Sequence, residues 1–460
     1  MKFRAVWLAF ASLLMLMLGA ATGAVWAGAQ AQEFKLANGM RIIVQEDRRA
    51  PTVAHMVWYR VGSVDEQNGT TGVAHVLEHM MFKGTAKLKP GEFSEKVAAL
   101  GGRDNAFTGK DYTAYHQQVE KSRLEKVMAL EADRMQNLRM DAAEFAKEIR
   151  VVMEERRLRT DDQPRALVHE TLMATAYKAN PYRTPVIGWM RDLETMKGAD
   201  ARAWYKTWYA PNNAVLIVTG DASPDEVVRL AKKYYGGARP KLLPERKAQD
   251  EPEQTGIRRV NVKAPAELPY VALAWRAPRI VDVEKDDDAH ALEVLAGVLD
   301  GHQGARLSRN LVRGSRIASD AGAGYDNTAR GPVLFVLEGT PAAGRTVAEL
   351  EEALRGEVRR IADEGISEEE LKRVKAQVVA AQVYKRDSIF GQAMEIAQFE
   401  MSGLSHRQID RALEKIRAVT AGQVKAVAAR YFGDDTLTVA TLTPLPMTAK
   451  PKAAPAGLRH

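Results

Sequence analysis

The chain has 460 residues, too many for one ordinary domain, and its 46% hydrophobic and 27% charged residues are a globular balance. It has no cysteine, which excludes disulfides and thiolate metal sites and leaves any zinc site to histidine and carboxylate. The formal charge of +7 comes without a Lys/Arg block or a nucleic-acid motif, so it reads as a solvated basic surface, and no nucleic-acid partner is expected.

Lys2 and Arg4 precede an apolar run from Ala5 to Leu18. Small residues follow, with Ala27-Gly28-Ala29 and Ala29-Gln30-Ala31 as A-x-A sites. This is the pattern of a secretory signal peptide over residues 1–31, so the expected location is periplasmic or otherwise exported. The apolar run is short for a full membrane span.

Strands come next. The turn Ala37-Asn38-Gly39 separates Phe34 and Leu36 from Met40 to Val44, a hairpin signal. Val53 to Tyr59 reads as a third strand, with His55 as a core or edge residue on it. Residues 70 to 82, TTGVAHVLEHMMF, read as a helix. There His75 and His79 stand one turn apart on one face with Glu78 beside them, while Ala74, Leu77 and Met81 face a core. Thr70 or Thr71 is the expected cap and Gly84 the expected stop. Two imidazoles and a carboxylate at this spacing suit a metal ion with a base, in the His-x-x-Glu-His order of inverzincins. Two histidines four apart also occur on ordinary helices, and a catalytic zinc takes a third protein ligand.

A short helix over 92–100 ends at Gly101-Gly102. Asn105-Ala106-Phe107-Thr108 and Thr113 to Gln117 then read as paired strands. They are either an ordinary sheet edge or an edge that receives a peptide as an added strand. His116 is a candidate polar group near that cleft. Helices follow at 121–138 and 142–159. The second carries Glu148, Glu154 and Glu155; Glu148 and Glu155 are two turns apart and share a side with Val151 and Val152. Further along come a helix over 166–176 with His169 as a structural residue, a loop through Asn180-Pro181-Tyr182 to Gly188, a helix over 199–209, a strand over 214–218 and a helix over 223–235. Arg239 to Gly256, rich in Pro, Lys, Glu and Gln, reads as an inter-domain linker.

The motif His75-Val-Leu-Glu-His79, followed by Glu148-Ile-Arg-Val-Val-Met-Glu-Glu155, resembles the pitrilysin family of inverted zinc peptidases. That family includes insulin-degrading enzyme and the mitochondrial processing peptidase. Gly101-Gly102-x-x-Asn105-Ala106-x-Thr108 and Thr113-Ala-Tyr115 match its strand pair, and the resemblance covers most of the chain after the leader. It implies Zn2+ on His75, His79 and Glu155, Glu78 as general base, and Glu148 as a carboxylate that orients a ligand. It also implies substrate contacts at Asn105, Ala106, Thr108 and Tyr115. Glu154 is the rival third ligand; on a helix it points about 120° away from Glu148.

The second half repeats the plan of the first. Ala429-Arg-Tyr431-Phe-Gly-Asp-Asp-Thr-Leu437 echoes Thr207-Trp-Tyr209-Ala-Pro-Asn-Asn-Ala-Val215. A helix over 287–299 falls where the motif helix falls, with only His290 and Glu293 left of the metal residues. The expected fold class is therefore α+β, with two homologous domains, each a mostly antiparallel sheet packed with helices. The family resemblance implies that they face each other across a cleft. The expected bounds are a catalytic zinc-binding domain over 33–238, a linker over 239–257, a non-catalytic domain over 258–445 and a disordered tail over 446–460.

One segment departs from the family. Members that cut peptides often carry Arg-x-x-x-Gly-Leu-x-Tyr in the second domain, where the Arg and Tyr contact substrate. Here the segment reads Leu311-Val-Arg313-Gly-Ser-Arg316-Ile-Ala-Ser319-Asp320. Arg313 matches, the segment is one residue short, and Tyr325 is a displaced substitute. In two-chain members a partner subunit supplies the pair. The expectation is a zinc metalloendopeptidase acting on peptides or unfolded segments, with a related subunit, in a homo- or heterodimer, completing the substrate site. The alternative is a non-catalytic subunit or peptide-binding scaffold; an intact metal set and base argue against it.

Overall fold

The computed structural model describes residues 30–447. The leader expectation falls on residues 1–29, and most of the tail expectation on residues 448–460, outside the described residues.

The first half builds a six-stranded sheet from β1 (Gln32–Lys35), β2 (Arg41–Glu46), β3 (Thr52–Tyr59), β4 (Arg103–Thr108), β5 (Thr113–Glu120) and β6 (Ala214–Gly220), in the order β1-β2-β6-β3-β5-β4. β2 and β6 are parallel and the other neighbours antiparallel. The expected hairpin pairs Phe34 with Ile42. The central strands β3 and β6 are rich in Val, Ile, Leu and aromatic residues and are buried on both faces, as such runs require.

Around this sheet lie α1 (Val73–Met80), α2 (Glu92–Ala99), α3 (Leu124–Asn137), α4 (Ala142–Arg156), α5 (Pro164–Ala176), α6 (Met190–Thr195), α7 (Gly198–Trp208) and α8 (Pro224–Tyr235). The second half contains β7 (Arg258–Pro265), β8 (Tyr270–Ala277), α9 (Asp287–Asp300), β9 (Ala318–Tyr325), β10 (Val333–Pro341), α10 (Val347–Glu364), α11 (Glu368–Asp387), α12 (Ile389–Ser402), α13 (Ile409–Ala418), α14 (Ala421–Tyr431) and β11 (Leu437–Leu445). Its sheet order, β7-β11-β8-β10-β9, reproduces β2-β6-β3-β5-β4 strand for strand, down to the one parallel pair, β7 with β11. The duplication expected from the sequence is thus present in the topology.

Alternation along β3 sends its side chains to two separate cores. Val53, Val57 and Tyr59 meet Leu77 and Met80 of α1 and Val152 of α4. Met56 and Trp58 meet Ala393, Ile396 and Met401 of α12, a helix of the second half. The exchange is reciprocal: Val168, Leu172 and Ala176 of α5 cover Tyr270, Ala272 and Ala274 of the second sheet. Each half therefore lends one helix to the outer face of the other's sheet.

The connecting segment is tied down. Glu251 accepts backbone N–H groups of Lys178, Ala179 and Asn180 at 2.6, 2.8 and 2.9 Å and pairs with Arg276 at 3.0 Å. Between the halves, Arg330 reaches Asp65 at 2.9 Å and Asp111 at 3.4 Å.

Candidate metal centre

The motif helix α1 starts differently from the expectation. Its N-cap is Gly72 at φ +87°, and Glu66 from the preceding loop accepts the N–H groups of Gly72 (2.7 Å) and Ala74 (2.8 Å). Thr71 instead donates its hydroxyl to Asp192 at 2.6 Å, tying the helix start to α6. The helix ends at Met80, before Gly84. Ala74, Leu77 and Met81 are buried as the spacing required, and the opposite face turns towards α4.

There the structure brings three donors together. Glu155 Oε2 lies 3.4 Å from His79 Nε2 and 3.7 Å from His75 Nε2, and one ligand atom from each residue lies within 4.8 Å of the others. A tetrahedral zinc with bonds of about 2.0–2.1 Å separates its ligand atoms by about 3.3 Å, so the cluster fits one such ion with little movement. Two imidazole nitrogens and a carboxylate oxygen are also the donor types of a catalytic zinc site. Glu154 turns away: its side chain is 59% exposed and pairs with Arg157 at 3.0 Å.

The surroundings orient these donors. His79 Nδ1 faces Glu148 Oε2 at 3.4 Å, and the other Glu148 oxygen meets Lys83 Nζ at 2.8 Å. Glu155 Oε1 pairs with Arg159 at 2.6 Å. Arg159 sits in the π-helical turn over 157–161 that continues α4, a distortion often found at functional sites. The buried Arg156 pairs with Glu170 at 2.8 Å and donates to the Gly188 carbonyl at 2.8 Å, so it joins α4, α5 and the loop packed on the start of α1.

Glu78, only 4% exposed, accepts a hydrogen bond from the Thr108 hydroxyl of β4 at 2.5 Å. Burial raises its pKa to about 7, against the opposing pull of Thr108 and His79. Burial alone would lower His79, but its contacts with Glu148 and Glu155 outweigh that and lift it to about 9. Burial works against Glu155 ionising, yet His79, His75 and Arg159 together hold it well below the ordinary carboxylate range. The cluster is thus an anionic cradle in which the two carboxylates favour positive charge on the imidazole, the role a dication would fill.

Asn105, Ala106 and Thr108 lie on β4, the outermost strand of its sheet among the described residues. Tyr115 corrects an expectation. It is fully buried, its hydroxyl is bonded to that of Tyr209 at 2.8 Å, and its ring lies 4.4 Å from the Arg134 guanidinium, so the structure places it in the core and not on the open edge of β4. Arg313 is not brought to the cluster either; it is exposed and donates to the Gln303 carbonyl at 2.6 Å. Tyr325 donates to the Pro278 carbonyl and stacks on Phe335, a fold-maintaining role. His55 is enclosed between Gln117 and Tyr235, His116 lies against Phe390 of α12, and His169 bonds Glu338 and Tyr270. In α9, Ala289-His290-Ala291-Leu292-Glu293-Val294 aligns with Ala74-His75-Val76-Leu77-Glu78-His79, and Val294 stands where the first half has its second histidine. Among the described residues, His75, His79 and Glu155 form the one such donor group.

Sequence reasoning missed Lys83, Arg156 and Arg159. Two of them carried a signal: Lys83 is four residues past His79 and Arg159 four past Glu155, the spacing of helix neighbours.

A family model described as "Insulinase (Peptidase family M16)" matches residues 41–188, and one described as "Peptidase M16 inactive domain" matches residues 195–378. Zinc protease PqqE of Helicobacter pylori is 34% identical over 319 residues, 68% of this chain and 71% of that protein. The chain belongs to peptidase family M16. The uncharacterized zinc protease YmxG of Bacillus subtilis is 26% identical over 86% of this chain and 95% of its own length. A crystal structure of a protease from Helicobacter pylori superposes with a TM-score of 0.86 at 28% identity, covering 90% of this chain and all of that one. The periplasmic protease PqqL of Escherichia coli, at 20% identity and a TM-score of 0.76, shares the fold; 93% of this chain matches 49% of PqqL. The M16 assignment meets the pitrilysin-type expectation and the two-domain α+β architecture that came with it, and it supports a peptidase-like function with zinc.

Proposed function

We propose that this chain is a zinc-dependent endopeptidase that hydrolyses peptide bonds in peptides or unfolded segments. The observation that carries the reading is the convergence of Glu155 Oε2 on both imidazoles, at 3.4 and 3.7 Å, on the helix face that also bears Glu78. In this reading His75, His79 and Glu155 hold the metal. Zinc, when bound, supplies a Lewis acid that acidifies water and polarises the scissile carbonyl. Glu78 takes a proton on its carboxylate and passes it to the leaving amine. Thr108 fixes the Glu78 carboxylate from β4, and Glu148 fixes the His79 ring through Nδ1. An extended peptide adds to the open edge of β4 around Asn105 and Ala106, where main-chain bonds give affinity without strict sequence demand.

Two extensions belong to the same proposal. The position of Arg313, turned to Gln303, supports a related subunit that completes the substrate site. The leader pattern over residues 1–31 supports export; no helix among the described residues is long and apolar enough to cross a membrane. The rival reading, a non-catalytic subunit, draws on the "inactive domain" description, but that match begins at residue 195, after the three proposed metal ligands and Glu78.

The test is Glu78→Gln in the purified chain, with and without any co-purifying partner. It should bind zinc as the wild type does and lose cleavage of a mixed peptide pool by roughly 10²–10⁴-fold. A Glu78→Gln chain that cleaves at the wild-type rate refutes the proposal.

A further inference from the structure

Lys83 lies outside the motif and outside the proposed ligand set, yet it reaches the metal centre through one carboxylate. Its Nζ is 2.8 Å from Glu148 Oε1, and Glu148 Oε2 is 3.4 Å from His79 Nδ1. Both partners are withdrawn from water: the Glu148 side chain is 8% exposed and that of Lys83 25%. A buried carboxylate accepting from an imidazole has two oxygens to satisfy, and an ammonium on the far oxygen keeps the near one turned to the ring.

The backbone around Lys83 is held from several sides. Lys83 N–H bonds the Met80 carbonyl at 3.0 Å and closes the end of α1. Gly91 N–H bonds the Phe82 carbonyl at 3.0 Å, and Arg139 N–H bonds the Gly84 carbonyl at 3.1 Å. The Thr85 hydroxyl donates to Asp133 at 2.5 Å. The segment after α1 is therefore pinned to α2 and to the end of α3, and the Lys83 side chain starts from a fixed point. Lys83 lies three residues past the end of α1, and its contact with Glu148 places its ammonium on the side of α1 that faces α4.

We infer that Lys83 is a positioning residue of the metal centre. It holds Glu148, Glu148 holds the His79 ring, and the ring thereby presents Nε2 to the metal. The inference rests on the proposed metal reading of His75, His79 and Glu155. Arg159 makes a comparable contact on Glu155 Oε1 at 2.6 Å, but its side chain is 61% exposed. A charge in water is screened, so Arg159 contributes less than Lys83.

The experiment measures zinc affinity by chelator competition, and the thermal melt of the metal-free protein, on the full chain. The variants are Lys83→Met, Lys83→Gln, Glu148→Gln, Lys83→Met combined with Glu148→Gln, and Arg159→Met. Lys83→Met should weaken zinc binding by about 10–100-fold, the range for partners of metal ligands. Lys83→Gln keeps a donor without the charge and should fall between; it also serves if the Met variant does not fold. Adding Glu148→Gln to Lys83→Met should cost little more, because the two act through one contact. Arg159→Met should lose less than Lys83→Met. Wild-type zinc affinity in both Lys83 variants, or a drop in the metal-free melt with affinity untouched, overturns the inference alone. A wild-type chain that binds no zinc overturns the metal centre and the inference with it.

Discussion

Replacing Gly188 with alanine should damage the centre without touching any residue in it. Gly188 has φ +82°, and a Cβ there would sit 2.3 Å from the Thr71 carbonyl oxygen, 2.6 Å from the Thr71 carbonyl carbon and 2.7 Å from Gly72 Cα, where ordinary contact begins at 3.4 Å. Gly72 closes the same contact from the other side: a Cβ on it would lie 2.5 Å from the Ile187 oxygen. Every obstructing atom is backbone, so no rotamer change relieves it. The loop and the start of α1 must part by about 1 Å. The left-handed conformation costs alanine roughly 1–2 kcal/mol, and overpacking adds about 1–3 kcal/mol. The displaced segment is the one from which His75, Glu78 and His79 project, and the same loop is held by Arg156 at the Gly188 carbonyl and by Thr71 at Trp189 N–H, 3.0 Å. A misplacement of about 1 Å is worth roughly 10²-fold in rate. The assay compares kcat/KM on a peptide with the thermal melt on one preparation; the expected result is a melt lower by a few degrees and a rate loss far larger than the unfolded fraction explains. A Gly188→Ala chain with the wild-type melt and cleavage within about twofold refutes the reasoning.

Four more outcomes follow from the same geometry. Chelation should lower the melting temperature, because an ion that binds only the folded chain stabilises it by about 4 kcal/mol at roughly 1,000 times its Kd; Glu78→Gln should keep that shift, and a chain indifferent to chelator has no such site. Tyr115→Phe should cost about 1–2 kcal/mol of stability through the lost pairing with Tyr209 and leave KM unchanged; a raised KM would return Tyr115 to the substrate site. Glu400 of α12 accepts from His406 and Arg41, at 2.8 and 2.5 Å, and these partners overcome the effect of burial and lower its pKa from 4.5 to about 2. Its stabilising contribution is therefore present above pH 4.5 and is lost as pH falls towards 2, by at most about 3 kcal/mol, so urea midpoints of Glu400→Gln should fall less over that window than those of the wild type. A fragment of residues 30–238 should aggregate, since it lacks the α12 surface that covers Met56, Trp58 and Ile217; a monomeric, cooperatively folding fragment would contradict this.

Much of the site was legible because helix geometry links spacing to direction. His75, Glu78 and His79 needed only a period of 3.6, and the same rule set Glu155 apart from Glu154, which the structure turns to solvent. Tyr115, which the structure buries, marks where such a rule stops. A period of two says that neighbours on β5 face opposite sides, but not which side holds water, and here both faces are covered. The cap of α1 was misjudged because a local rule favours Thr70 or Thr71, while the carboxylate that does the capping comes from Glu66, six residues before Gly72. Arg313 shows the limit of motif matching: the residue type is present, yet its guanidinium serves the Gln303 carbonyl.

The fold itself was legible as a repeat but not as an exchange. The echo of 207–215 in 429–437 and of α1 in α9 predicts two copies of one topology, and the strand orders agree. No periodicity could show that α5 packs on the second sheet and α12 on the first. Both helices are apolar on the face they bury, and either sheet would accept such a face. The consequence bears on the bounds proposed for the halves, 33–238 and 258–445 with 239–257 between. Those bounds follow the repeat, while each sheet's outer core is completed by a helix from across the chain, which is why the 30–238 fragment is expected not to fold alone. The helix that leaves the first half, α5, follows within a few residues of Glu155 and Arg159. The packing that joins the halves and the geometry of the metal cradle are thus set along one continuous piece of chain, from α4 through the π-helical turn into α5.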